Sequence, residues 1–248
     1  SVQSTDCLFI LAPLHQKNMQ RLQKLGVNRY GQSVWNNSFA QRRAFQTVSS
    51  MILPMKKPLE QLVKMELLSK EDAESVRYVW KMYHYFATDL ISTSIPTLQY
   101  QVIAKRASSC PFFIMPVFKE IGYLNVVVQF QKTHPLRDDH VVLITSKRDF
   151  DKNRENATPH IVVHHYTDFA VSKGIVLARG TLDLFSQPGR ELNKTEAQLI
   201  MDNLYEFYSN DMLFSHYVEV FNKTPHAFRY EPFLEKYRSV NPKQSTKR

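Results

Sequence analysis

The residues that could do chemistry are few, and their settings work against it. Cys110 with any of the nine histidines could act as nucleophile and base. It stands directly before Pro111, at the mouth of the apolar run PFFIMPVF, where a small buried hydrophobe is the expected role. Asp138 and Asp139 beside His140 offer ligands to a metal, yet a site needs several converging groups, and adjacent loop acids ordinarily face water. His164 and His165 are neighbours in a strand-like run. Successive strand residues point to opposite faces, so a regular strand keeps the two rings off one ion and makes them structural. GxxxxGK(S/T), GxGxxG, GxSxG and HExxH are all missing. Six glycines in 248 residues leave little material for loops that cradle phosphate. No catalytic, cofactor-binding or metal-binding residue is assigned, and catalysis finds no foothold in these motifs.

The elements around these residues are easier to read. Residues 161–166 and 174–178 are dense in β-branched and aromatic side chains, with Asp168, Ser172, Lys173 and Gly174 between them, which predicts a strand pair joined by a polar turn. Residues 112–118 and 123–130 predict a hairpin around Gly122; Pro116 cannot donate to a ladder, so its strand belongs at an edge or a bulge. Residues 140–145 predict another strand, 146–158 a polar connector, and 181–185 a short extension before a Pro188–Gly189 turn. On the helical side, Ser69 with Asp72 resembles a capping box, and Ala73, Val76, Trp80, Tyr83 and Ala87 form one apolar stripe read as a core face. Pro96 can open a second helix to about residue 107. Asn193 with Glu196 caps a third, whose buried stripe is Ala197, Ile200, Leu204, Phe207 and Tyr208. Shorter helices are expected over 212–222 and 231–237. Helices, then strands, then helices predict an α+β fold: a mainly antiparallel sheet of about five or six strands, flanked by N-terminal and C-terminal helices.

Composition bounds the remainder. Forty-three per cent apolar and 12% aromatic residues suffice for a core. Cys7 and Cys110 are too few for a disulfide framework or a zinc site. The Asn-x-Ser/Thr triplets at Asn36, Asn156, Asn193 and Asn222 are read as chance in a non-secreted chain. No apolar stretch has the length of a spanning helix, so membrane contact is expected to be peripheral at most. The net charge of +9 is uneven: before Glu60 eight bases face the single acid Asp6, a local +7 that leaves only +2 for the remainder. A body so nearly neutral argues against nucleic-acid binding. Residues 1–59 read as a basic, acid-poor arm or presequence remnant, 60–240 as one domain and 241–248 as a polar basic tail. A first residue of Ser suggests a processed product or a fragment.

Five stretches carry a resemblance. They are the helix around Val79 and Trp80, SSCPFFIMPVFKEIGY (108–123), HHYTDFAVSKGIVLARG (164–180), KTEAQLIMDNLYEFY (194–208) and YVEVFNKTPHAFRYEPFL (217–234). In this order and spacing, residues 62–237 resemble the mitochondrial assembly factors that chaperone the β subunit of the ATP synthase catalytic head; residues 1–59 have no firm counterpart. The resemblance implies a non-enzymatic chaperone, in the mitochondrial matrix or on the matrix side of the inner membrane. It would bind the unassembled β subunit and shield the surface that α later covers. A permanent structural subunit of the ATP synthase or another inner-membrane complex, anchored by the basic arm against neighbouring subunits, is the alternative. Asp168, Phe169 and Lys173 are the expected partner contact, because an aromatic sits among charges where a loop tip is predicted. No cofactor is implied.

Overall fold

A computed structural model describes residues 55–133, 140–183 and 192–240. Six strands form one antiparallel sheet: β1 (Leu90–Pro96), β2 (Phe112–Phe118), β3 (Tyr123–Lys132), β4 (His140–Ser146), β5 (Ile161–Tyr166) and β6 (Ile175–Leu182), in the order β1-β6-β5-β4-β3-β2. The helices are α1 (Met65–Leu68), α2 (Ala73–Tyr85), α3 (Thr97–Ser109), α4 (Lys147–Asn153), α5 (Ala170–Lys173), α6 (Lys194–Ser209), α7 (residues 211–223, interrupted by the π-turn Phe214–Glu219) and α8 (Tyr230–Val240). This is the α+β arrangement expected.

The period of two along each strand decides which helix each residue meets. Val163, His165, Val176 and Ala178 point towards α3 and α6; Tyr166, Ile175 and Leu177 point the other way, towards α2. On the first face, α6, α7 and α8 close over β2 and β3 around Phe113. Its ring lies 5.6 Å from Phe207, 5.7 Å from Phe221 and 5.3 Å from Phe233, in tilted and edge-to-face contacts that favour aromatic clustering. On the second face, Leu59, Leu68, Val76, Trp80, Phe169 and Tyr166 make a smaller core under α1 and α2. Trp80 is pinned there by its indole N–H, which donates to the Ala178 carbonyl at 3.1 Å.

Several local expectations need correcting. The cap of α2 is Asp72, whose carboxylate accepts from the Ser75 N–H at 2.7 Å, and not Ser69, which closes α1 and returns its hydroxyl to the Met65 carbonyl. The buried stripe of α2 is Val76, Trp80 and His84, steps of four residues; Tyr83 turns outward and Ala87 lies beyond the helix. Residues 90–96 form β1, a strand the sequence does not announce, since only Ile91 and Ile95 in LISTSIP are buried. The polar connector after β4 contains α4, whose cap Ser146 accepts from the Asp149 N–H at 3.1 Å. Thr181 and Leu182 continue β6. Residue 185, the Pro188–Gly189 turn, Asp138 and Asp139 lie outside the described residues.

Both sheet edges carry guards against pairing. At β2, Phe112 donates its N–H to Asn222 Oδ1 at 3.1 Å, while Asn222 Nδ2 donates back to the Phe112 carbonyl. Pro116, four residues on, has no N–H to offer, and its strand is the edge that its ring predicts. At β1, Ser92 donates its N–H to Gln198 Oε1 at 3.3 Å, and Pro96 lies four residues further along the same side. A side-chain amide and a proline on each edge blunt strand addition by another chain.

Candidate partner-binding surface

The expected contact sits at the turn between β5 and β6, and the structure rearranges it. Phe169 is 3% exposed: it caps α5 with its side chain turned inward, against Leu59, Leu68, Val76, Trp80 and Leu177. The expectation of an aromatic presented at a loop tip therefore fails, because α1 and α2 supply an apolar floor that sequence adjacency does not show. Lys173 places its ammonium 5.6 Å from the centre of the Phe169 ring and donates to the Ser69 carbonyl at 2.9 Å and to the Glu71 carbonyl. It clamps the link between α1 and α2. Asp168 is exposed, and Val171 rather than Phe169 is the apolar tip.

The large exposed apolar surface lies instead on α2. Of the 13 exposed large apolar side chains among the described residues, six are Tyr78, Val79, Met82, Tyr83, Tyr85 and Phe86, so one helix and its C-cap carry nearly half of them. They follow two rows of spacing four then three, Tyr78-Met82-Tyr85 and Val79-Tyr83-Phe86, which run side by side along one helix surface. Phe86 is 80% exposed and its ring stands edge-on to Tyr85, with centres 5.0 Å apart. The helix is anchored below by Val76 and Trp80 and at its end by Lys194, the first residue of α6. Its ammonium donates to the carbonyls of His84 at 2.8 Å and Tyr85 at 2.7 Å, and to that of Ala87. A cation on the last carbonyls of a helix stabilises its C-terminus. Tyrosine, methionine and phenylalanine on a rigid support are the composition of protein interfaces.

Beneath α2, the His84 ring packs 4.3 Å from Trp80 and 4.9 Å from Tyr83. Its Nδ1–H donates to the Trp80 carbonyl at 2.7 Å, which leaves Nε2 as the bare nitrogen. Burial pushes its pKa down; the neighbouring charges of Arg179 and Lys194 add to that, while the bond to Trp80 opposes it. Among the described residues no group of three histidine, cysteine or acidic side chains converges as a metal centre. Cys110 is fully buried and its carbonyl accepts the Tyr208 hydroxyl at 2.7 Å, a packing role as expected. His164 and His165 point to opposite faces, as strand geometry requires. No described helix is long and apolar enough to cross a membrane.

The sequence comparisons agree with one another. A family model described as "ATP11 protein" matches residues 15–234, reaching well back into the basic segment for which no counterpart was expected. The chain is similar to the human ATP synthase mitochondrial F1 complex assembly factor 1, at 29% identity over 175 residues, 70% of this chain and 49% of that protein. It is 28% identical to the mouse protein of the same name, over 70% of this chain and 50% of the relative. Against Protein atp11, mitochondrial, of Schizosaccharomyces pombe, identity is 23% over 61% of this chain and 50% of the relative. The chain thus spans about half the length of the curated relatives it matches. With the family model covering both the strand core and the α2 platform, this chain belongs to the ATP11 protein family.

Proposed function

We propose that this protein is a non-enzymatic assembly chaperone of the mitochondrial ATP synthase. It holds the unassembled β subunit and shields that subunit's interface until α takes the same place. Family membership and the names of the relatives support the assembly role and a mitochondrial location; we place the protein in the matrix or on the matrix side of the inner membrane. The observation that carries the reading is the outward apolar face of α2. A subunit that exposes an interface before its partner arrives is prone to aggregate, and a transient holder needs an apolar surface of its own to cover it. Such a surface should be moderate in size so that displacement stays possible. Asp168 and Lys173, beside α2 through the Lys173 clamp, are proposed as the rim of this contact, with Phe169 supporting it from inside.

Calorimetric titration of the full chain with purified β subunit tests the role. Val79→Asp with Met82→Asp places charge on an exposed face and leaves the buried stripe intact, so the fold should persist while affinity falls roughly 100-fold, the scale of losing a hot-spot cluster. Wild-type affinity in the folded double variant would remove α2 from the contact. Recovery of the protein at fixed stoichiometry with mature ATP synthase, instead of with free β, would point to a permanent subunit.

A further inference from the structure

Arg179 lies on β6 opposite His164, on the α2-facing side of the sheet. Tyr166 is opposite Leu177, so Arg179 and Tyr166 are diagonal neighbours about 7–8 Å apart at the backbone, within reach of a long side chain. Arg179 Nε and His84 Nε2 are buried without a hydrogen-bond partner, while the arginine as a whole is only half-buried and its side chain lies close enough to the Tyr166 hydroxyl to oppose the effect of burial on that group. Part of the residue therefore remains open to solvent. Arg179 makes no ion pair with a described carboxylate; Asp89 and Asp168 act on Lys194 and Tyr166. Two further cations touch the same cluster: Lys56 sits 4.8 Å above the Tyr166 ring, and Lys194 is committed to the α2 carbonyls. A guanidinium partly removed from water with no counter-charge is costly unless an acid arrives. Its neighbour through His84 is Tyr83 of the exposed rows, and arginine and tyrosine are enriched in interface hot spots.

We propose that Arg179 receives a carboxylate side chain of the protein docked on α2, so that the partner surface must pair an apolar patch with an adjacent acid. This rests on the holding role above and adds to it the chemistry of the partner. Arg179 supplies a planar fork that matches a carboxylate with two parallel bonds, which a lysine cannot reproduce.

The test compares full-length wild type, Arg179→Gln and Arg179→Lys by titration with purified β subunit at low and high salt, with thermal midpoints measured alongside. Arg179→Gln should bind about 10-fold or more weakly and lose salt dependence, and Arg179→Lys should fall between, because charge survives but the fork does not. If the glutamine variant fails to fold, the lysine variant decides. Wild-type affinity in a folded Arg179 variant, with binding still lost in the Val79→Asp, Met82→Asp protein, overturns the carboxylate proposal and leaves the holding role standing. Failure of the wild type to bind β subunit overturns both. A thermal midpoint raised by sodium acetate in wild type but not in Arg179→Gln, without any change in affinity for β, would assign the site to a free anion and overturn the docking role.

Discussion

His165 shows how one side chain can be read from sequence and still change meaning in the fold. The strand period keeps it apart from His164; only the structure shows that its Nδ1–H donates to the His140 carbonyl and that its Nε2 accepts the Tyr205 hydroxyl, each at 2.8 Å. Burial, partly offset by the His140 bond, pushes its pKa down to about 4. The unfolded chain thus binds a proton as pH falls below about 6.5 that the folded chain refuses until about 4. Stability is full above that window and is lost through it, by about 3 kcal/mol for a shift of this size. His84 shifts in the same direction. Urea unfolding midpoints should therefore fall between pH 7 and pH 5, and the fall should shrink in His165→Gln; an equal fall would assign the acid sensitivity elsewhere. Gly180, by contrast, takes its meaning only from the fold. A Cβ there would lie 2.4 Å from Ile91 Cγ1 and 2.8 Å from Ile91 Cδ1, on the residue directly opposite in the β1–β6 pair. Gly180→Ala should destabilise by about 1–3 kcal/mol, as overpacking of a tight core does, checked by thermal or urea denaturation. Nothing in LARGT announces this contact, because Ile91 is 89 residues away and belongs to a strand with little strand signal.

At the scale of elements, legibility followed local information. The strand 112–118 was readable to the residue, because β-branched and aromatic runs bounded by Pro111 and Gly122 leave few alternatives. The capping box of α6 was equally plain: Asn193 accepts from the Glu196 N–H at 2.9 Å and Glu196 reaches back to the Asn193 N–H at 2.9 Å. By contrast β1 was hidden, since its polar middle is tolerated only by pairing with β6 and by the cover of α2. The face of α2 was misread for a related reason. Tyr83 lies about as close in helical angle to the Val76–Trp80 line as His84 does, and the sheet beneath chose the smaller, hydrogen-bonded ring. The edge clamp at β2 is another device visible only in three dimensions, joining residues 110 apart. Asn222→Leu leaves the Phe112 N–H and carbonyl without that partner, which should cost about 1–3 kcal/mol. It should also raise concentration-dependent association as the edge opens. Light scattering with urea denaturation measures both; an unchanged protein would mean that Pro116 alone guards the edge. The burial of Asn222 also accords with reading its triplet as a chance match.

For the whole molecule, the arrangement separates two tasks. The large core between the sheet and α3, α6, α7 and α8 holds the fold, while the thinner layer of α1 and α2 on the opposite face carries the apolar surface outward. With both sheet edges guarded, the proposed docking surface is a helix face, and among the described helices α2 carries the largest share of the exposed large apolar side chains. The sequence by itself determined the α+β class, most strand positions, the structural character of Cys110 and the histidine pair, and the family, because these depend on local pattern and on long runs of matched residues. Only the tertiary structure decided which aromatics are core and which are surface. Phe169, set among charges, was drawn inside by a floor built from Leu59, Leu68 and Trp80, while the α2 tyrosines, which share their helix with that floor, were left facing out. A side chain's type says how much it gains by burial; what lies over it depends on residues distant in the chain.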